Sequence, residues 1–162
     1  MKSIRSLLFV VPLLIVACVK PVALKSPFKE PDFSAATEGT ATISGQAFLR
    51  TQGGDVKYGA GYVVKFFPAT PYFEEWFDNH VVLGLPIAPD DITKIDNLYI
   101  NYGATTTADS AGNFGPIKVT PGKYLIWCHI SWLVTQYQRS GGYAYAKVTV
   151  NDGQNVRVVV TR

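Results

Sequence analysis

Hydrophobic and polar residues alternate along most of the chain after residue 40. In the segment 42–49, Ile43, Gly45, Ala47 and Leu49 occupy the same phase of this alternation. Successive side chains of a strand point to opposite faces of a sheet, so the pattern predicts a strand with one buried face. The same two-residue period predicts further strands at 62–67, 105–108, 114–119, 124–134, 144–150 and 156–161.

Turn-forming residues separate the predicted strands. They cluster at 52–55, 109–112, 120–122, 139–142 and 151–153. Aspartate suits the start of the second cluster, because its carboxylate can accept a backbone N–H from two residues further on. The fourth cluster is predicted to be a loop, and the fifth to be the turn of a closing hairpin. About seven short strands spaced in this way indicate an all-β fold, an antiparallel sandwich of the transthyretin-like or immunoglobulin-like kind.

The strands at 62–67 and 124–134 supply most of the predicted core. The inward residues of the first are Tyr62, Val64 and Phe66, and those of the second are Tyr124, Ile126, Cys128, Ile130 and Trp132.

The alternation breaks down between residues 71 and 104, which we interpret as one long insertion in the sandwich. Loops of such length are often functional. The first part of the insertion, 71–79, predicts a short helix with Thr70 as its N-cap and Pro71 at its first helical position.

That helix would carry aromatic rings along one side, because residues four positions apart are neighbours on a helix. The rings belong to Tyr72, Phe73, Trp76 and Phe77. One interpretation is a recognition patch for a protein or a glycan, extended by Trp127 and His129 on the outer face of a strand. The other interpretation, which we favour, is that the rings cover an open edge of the sandwich, since exposed edges promote aggregation.

The first 17 residues predict an export signal. Lys2 and Arg5 precede an unbroken apolar run at 7–17. As a helix this run is about 16 Å long, whereas about 20 apolar residues are needed to cross a bilayer. A short apolar run behind a basic start is typical of a signal peptide.

The end of this run, Ile15 to Cys18, resembles the lipobox of bacterial lipoproteins. The resemblance implies cleavage before Cys18 and attachment of acyl chains, palmitate among them, so that the membrane is a partner of the mature protein. Two or three acyl chains give durable anchoring. Val19 in the following position implies the outer membrane if the cell is Gram-negative. An ordinary secretory signal with a chance cysteine is the alternative.

Residues 18–38 predict a flexible tether that follows the lipidated cysteine. Pro21, Pro27 and Pro31 lie among charged residues in this segment, a composition with little regular structure. Fully extended, such a tether would reach at most about 65 Å. The folded domain is accordingly predicted to span 39–162.

Four short motifs occur in order along the predicted strands and turns. They are the strand residues 43–45 and 61–66, the turn 107–114 with the pattern T-x-D-x-x-G-x-F, and the strand entry 121–124 with the pattern P-G-x-Y. Together they resemble the carboxypeptidase regulatory-like domain. The resemblance covers roughly 41–70 and 105–162. It implies a transthyretin-like sandwich with a non-catalytic accessory or binding role.

Charge and motif content argue against several functions. Without Lys2 and Arg5 the chain has 13 basic and 12 acidic residues, so it lacks the basic footprint of a nucleic-acid binder. P-loop and dinucleotide fingerprints are missing, and we expect no cofactor. His80 and His129 lack serine or aspartate partners in sequence, so we expect no catalytic residue.

Metal binding and thiol chemistry are not expected either. No His/Cys pair has the spacing of a zinc site, and Asp90, Asp91 and Asp96 do not form a calcium loop. Once Cys18 is acylated, Cys128 has no cysteine to pair with and is predicted to be a small buried hydrophobe.

The sequence therefore predicts an anchored, non-catalytic binding module of the cell envelope. Its expected partner is an envelope protein or a polysaccharide, and not a nucleic acid. A structural subunit of an envelope-spanning secretion machine is the alternative, and an enzyme is the least favoured hypothesis.

Overall fold

Strands account for most of the regular structure. The computed structural model describes residues 20–29 and 39–162, apart from the side chains of Tyr99 and Asn101. In chain order the elements are β1 (Ala41–Arg50), β2 (Val56–Tyr58), β3 (Val63–Pro68), α1 (Pro71–Trp76), a π-helical segment (Phe77–Val82), α2 (Pro89–Tyr102), β4 (Ala104–Thr107), β5 (Asn113–Val119), β6 (Gly122–Thr135), β7 (Gln138–Val150) and β8 (Asn155–Val160).

The strands form two four-stranded sheets. The first has the order β2-β1-β5, with β8 also paired to β1, and the second has the order β4-β3-β6-β7. Every pairing is antiparallel except that of β1 with β8, which is parallel. The predicted all-β sandwich is confirmed; in the described chain β2 is an additional, three-residue strand that the alternation did not indicate.

The predicted inward residues meet between the two sheets. In β1 the buried positions alternate strictly with partly exposed ones, as its sequence period requires. Tyr62 and Trp132 pack partly buried against the edge of this inter-sheet core. Its buried members include Ile43, Ala47, Leu49, Val64, Phe66, Phe114, Val119, Tyr124, Ile126, Cys128, Ile130, Ala144, Val150 and Val160.

The turn that begins at Asp109 forms as predicted. Asp109 Oδ1 accepts the backbone N–H of Ala111 and that of Asn113, each at 2.8 Å. Gly112 closes the turn with φ of 77°, a conformation that favours glycine. A Cβ at this position would lie 2.5 Å from the carbonyl oxygen of Ala47, so β1 also needs the glycine there.

The predicted closing hairpin is wrong. A turn does follow β7, with the N–H of Gln154 donating to the carbonyl of Asn151. Beyond it β8 crosses to the first sheet and runs parallel to β1. Its pairing with β7 is limited to an isolated bridge between Tyr145 and Thr161. The local pattern predicts a turn but does not say which sheet the next strand joins.

The predicted loop at 139–142 is also wrong, because these residues belong to β7. Residues 140–142 pair with 130–132 of β6, and the turn of this long hairpin lies at 136–137. A Cβ on Gly141 would lie 2.3 Å from the carbonyl oxygen of Ile130. The glycine thus allows two strands to approach closely rather than making a turn.

The insertion lies between β3 and β4, and its first helix begins as predicted. Thr70 caps α1 by accepting the N–H of Phe73 at 3.3 Å, and Pro71 is the first helical residue. The helix continues directly into the π-helical segment. The 14-residue helix α2, which the sequence analysis did not predict, completes the insertion.

The helices cover the outer face of the second sheet, not an edge of the sandwich. Residues 124–128 of β6 are buried at every position, so this strand is apolar on both faces. Leu125 and Trp127 point away from the inter-sheet core and pack beneath the helices. The result is an outer core whose buried members are Phe67, Tyr72, Phe73, Trp76, Phe77, Val81, Ile87, Ile95, Leu98, Leu125 and Trp127.

Residues 20–28 are docked on the helices, which corrects the prediction of a free tether for this part of 18–38. Val22 forms a parallel bridge with Ile87, donating to the carbonyl of Pro86 at 2.8 Å. Val22 and Leu24 pack against the outer core. The ring of Phe28 meets that of Tyr72 edge-on at 5.4 Å.

Two carboxylates of the insertion fasten this segment. Glu75 accepts the N–H of Lys25 at 2.9 Å and that of Ser26 at 2.7 Å. Asp91 accepts the N–H of Leu24 at 3.0 Å and the hydroxyl of Tyr72 at 2.8 Å. These backbone hydrogen bonds hold the pKa of both carboxyls below the ordinary range. Among the described residues, Asp91 is the one charged side chain that is buried.

The outer core should contribute to global stability as a native core does. Phe77 is fully buried, so Phe77→Ala is expected to lower the free energy of unfolding by about 3–5 kcal/mol. Tyr137, which is 89% exposed, is the control, and Tyr137→Ala should change it by no more than about 0.5 kcal/mol. Urea denaturation measures both. If Phe77→Ala lowered the free energy of unfolding as little as Tyr137→Ala does, that result would contradict the claim that the outer core unfolds cooperatively with the rest of the protein.

The docked segment should loosen in acid. Glu75 and Asp91 have folded pKa values below their unfolded values of about 4. Their contribution is therefore complete above that pH and is lost as the pH falls through the folded pKa values. Amide chemical shifts of Leu24, Lys25 and Ser26 report the change. Asp91→Asn should abolish the pH-dependent shift of the Leu24 amide and leave the shifts of the two amides bound to Glu75. An unaltered Leu24 titration in this variant would refute the assignment of that shift to Asp91.

Candidate ligand-binding cleft

An open cleft lies at one end of the sandwich, where the end of β1 faces the long β6–β7 hairpin. Its volume is about 630 Å³, within the range of small-ligand sites of about 300–1,000 Å³. We call it the end cleft. It is lined by Leu49, Arg50, Thr51, Gln52, Gly53, Asp55, Lys57, Trp132, Leu133, Val134, Ser140, Gly141 and Arg162.

The walls of the end cleft combine one aromatic ring with polar groups. Trp132 is half-buried, packs against the inter-sheet core and also lines the cleft. Leu133 and Val134 form an exposed aliphatic rim beside it. Hydroxyl, amide, carboxylate, ammonium and guanidinium groups complete the lining, so the cleft offers both hydrogen bonds and an apolar surface.

The hairpin that forms one wall is braced at its base. The hydroxyl of Tyr62 donates to the carbonyl of Ser131, and Arg139 Nη1 donates to Ser131 Oγ at 3.2 Å. Trp132 and Ser140 are direct partners across the two strands. Strand pairing, and not a loop, therefore defines the position of Trp132 on the hairpin.

The predicted recognition patch is not an exposed surface. Tyr72, Phe73 and Phe77 are buried in the outer core, and Trp76 and Trp127 are only 8% and 5% exposed. Edge-on contacts between rings fill this layer, such as that of Trp76 with Trp127 at 5.4 Å. With their faces covered, the rings cannot stack on a ligand from solvent, so the interpretation as a cover for the sandwich is the better one.

The edges of two of these rings do reach a small groove beside α2. Its volume is about 190 Å³, below the usual range for small-ligand sites. It contains a single carboxylate, that of Asp96. The lining residues are Lys65, Trp76, His80, Ile92, Ile95, Asp96, Trp127 and Tyr143.

The two histidines, which sequence reasoning left without partners, both contact Tyr143. His80 Nδ1 lies 3.2 Å from the carbonyl oxygen of Leu85, and its Nε2 lies 3.3 Å from the Tyr143 hydroxyl. A carbonyl can only accept, so Nδ1 carries the proton and Nε2 accepts from the tyrosine. The ring of exposed His129 lies 5.1 Å from that of Tyr143. His80 is thus part of a hydrogen-bonded packing arrangement.

The described residues contain no cluster of three or more histidine, cysteine, aspartate or glutamate side chains arranged for a metal ion. Asp91, one of the three aspartates of the insertion that do not form a calcium loop in sequence, is engaged with Leu24, Tyr72 and Lys94. No helix within the described ranges is long and apolar enough to cross a membrane. Cys18 lies outside the described residues.

Comparison with known proteins identifies a shared fold. No protein-family model and no curated protein sequence matches the chain. A solved structure that resembles it is that of a proposed carbohydrate binding protein from Pseudomonas aeruginosa, with a TM-score of 0.64. The two sequences are 24% identical, over 86% of this chain and 99% of the other. At this identity the similarity shows the fold alone.

The sequence pattern does not predict the end cleft, because the residues that form its walls are distant in sequence. Arg50 ends β1, whereas Arg162 follows β8. The predicted loop at 139–142 also hid the fact that Ser140 faces Trp132 across a strand pair. An available signal was Trp132 itself, an aromatic residue at the end of the longest strand with the apolar Leu133 and Val134 after it.

Cys128 is expected to be unreactive in the folded protein. Its side chain is fully buried, and burial raises the pKa of the thiol to about 11. Because the thiolate is the nucleophile, Cys18→Ser protein should not react with a disulfide reagent at pH 8 until denaturant is added. Reaction of the native protein at the rate of a free thiol would show that the inter-sheet core opens.

Proposed function

We propose that this protein is a lipid-anchored component of the bacterial cell envelope that binds a polysaccharide in the end cleft without altering it chemically. The observation that carries the proposal is the end cleft itself, which is large enough for a short saccharide segment and lies beside the Trp132 ring. The solved structure with the same fold is that of a proposed carbohydrate binding protein, and the proposal takes its ligand class from that protein by analogy.

The groups lining the end cleft suit a saccharide. Sugar hydroxyls both donate and accept hydrogen bonds, and the cleft offers Gln52, Ser140 and Asp55 for these roles. The C–H faces of sugar rings are apolar, and Trp132 with the aliphatic rim supplies an apolar surface for them. Glycoside hydrolysis ordinarily uses a pair of carboxylates, and among the described residues Asp55 is the one carboxylate side chain that lines the end cleft, which supports binding without hydrolysis.

The anchor is proposed to be Cys18, with attachment of acyl chains after removal of residues 1–17. Between Cys18 and Val22, the first residue with a docked backbone, the chain has room for at most about 14 Å. The helices of the insertion would then lie close to the bilayer rather than at the end of a long flexible tether. Outer-membrane placement in a Gram-negative cell and the carboxypeptidase regulatory-like relationship remain predictions from the sequence.

Metabolic labelling with an alkyne analogue of palmitate tests the anchor. The label should enter the wild-type protein and a Cys128→Ala variant, because Cys128 is buried. Cys18→Ser should carry none and should appear in the soluble fraction. Equal labelling of Cys18→Ser, or an unmodified N-terminus by mass spectrometry, would refute lipid anchoring.

Affinity electrophoresis through gels that contain polysaccharides from the same cell envelope tests the ligand class. Retardation is expected for the wild-type protein and is expected to be lost in Ser140→Trp, which places a large ring in the end cleft. Val159→Trp adds a similar ring on the exposed face of β8, outside the cleft, and should behave like wild type. Equal retardation of both variants would contradict binding in the end cleft.

A further inference from the structure

We propose that the end cleft selects a saccharide with anionic groups, carboxylate or phosphate, which deepens the proposed function and rests on it. The charged side chains that line the cleft are Arg50, Lys57, Arg162 and Asp55. Cationic groups therefore outnumber the carboxylate in the lining. The whole chain is close to neutral once the leader is excluded, so this is a local concentration of positive charge.

The two arginines are available for a ligand. Neither Arg50 nor Arg162 forms an ion pair with a carboxylate in residues 20–29 and 39–162. A guanidinium presents paired N–H donors in a planar fork that matches the two oxygens of a carboxylate or phosphate. Two such forks in one cleft, from strand ends far apart in sequence, favour a ligand that carries negative charge.

Asp55, the one carboxylate side chain in the lining, neutralises little of this charge. Asp55 Oδ2 lies 3.9 Å from Lys57 Nζ, and the Asp55 side chain is 76% exposed. An exposed ion pair at this distance contributes little. Asp55 is accordingly free to accept a sugar hydroxyl, while the arginines on the remaining lining meet the anionic groups.

The missing side chain at Gly142 leaves room for the guanidinium of Arg162. A Cβ placed on Gly142 would lie 3.1 Å from Arg162 Nη2 and 3.4 Å from its Cζ. The guanidinium therefore lies over a stretch of β7 that has no side chain, next to Ser140 and Gly141 in the wall of the end cleft. The same wall carries Trp132 on its partner strand. Anion recognition and sugar packing would thus occur side by side.

Isothermal titration of the anchored protein in detergent with polygalacturonate and with its carboxyl-reduced, neutral form tests the charge requirement. A phosphorylated mannan and its dephosphorylated form distinguish phosphate from carboxylate as the preferred group. At least one anionic form should bind about tenfold more tightly than its neutral counterpart, the effect of one charge-assisted hydrogen bond. The difference should shrink as salt rises, because ions screen exposed charges.

Charge-removing variants locate the effect. Arg50→Gln and Arg162→Gln should each weaken anionic binding by about tenfold, and the double variant should erase the preference over the neutral form. Arg157→Gln is the matched control: it removes the same charge from an exposed β8 residue that does not line the cleft. Thermal unfolding confirms that all variants fold.

The outcomes separate the two proposals. Equal binding of anionic and neutral forms, both lost in Ser140→Trp, would overturn anion selection and leave saccharide binding in place. If Arg157→Gln weakens the anionic preference as much as Arg162→Gln does, anion selection in the end cleft would also be overturned, because the effect would come from net charge. Absence of binding to every polysaccharide would overturn both proposals.

Discussion

Strand β6 is apolar on both faces. Both faces must therefore be covered by other elements, and the rest of the structure supplies these covers. Its inner residues pack between the two sheets, while Leu125 and Trp127 face outward. An uncovered ring and leucine would leave apolar surface in water, at a cost of about 25 cal/mol for each Å². The insertion between β3 and β4 removes this surface from water, and residues 20–28 in turn cover the helices. The described part of the chain therefore has three layers and two cores.

This division of the aromatic residues decides where a ligand can bind. The aromatic rings of the insertion are buried by packing, although the sequence suggested them for recognition. Their edges reach only a small groove. Trp132 remains half-buried beyond the helices, at the end of the hairpin where the inter-sheet core opens into the end cleft. Arg50 and Arg162, which form no ion pair within the described residues, line the same cleft. Under the proposed function, structural and recognition roles thus fall on different stretches of β6.

The fold class was predictable because each strand carries its own signal in its alternation. The turn at Asp109 and the cap at Thr70 were predictable for the same reason, since both depend on side chains within four residues. Helix α2 was missed although Ile95, Leu98 and Tyr102 recur at helical spacing after Pro89. The parallel pairing of β8 with β1 and the docking of Val22 depend on partners far along the chain, so no local pattern reveals them.

The candidate site, too, depends on contacts that local sequence patterns do not reveal. Aromatic residues at helical spacing indicate one apolar side of a helix but do not say whether a sheet or a ligand covers it. The apolar outer residues of β6 were the missing information: Leu125 and Trp127 lie out of phase with the inward set, and together they indicate a strand covered on both faces. Arg50 and Arg162 carry no sequence signal, because only the sheet topology brings their strand ends together.

The most direct test of the central claim, that the rings of the insertion are structural and that the ligand occupies the end cleft, is an NMR titration of ¹⁵N-labelled protein with an acidic oligosaccharide. The account predicts shifts of the Trp132 indole and of amides in 49–57 and 132–141, with the indoles of Trp76 and Trp127 unchanged. Shifts centred on Trp76 and Trp127, with those of Trp132 absent, would contradict it.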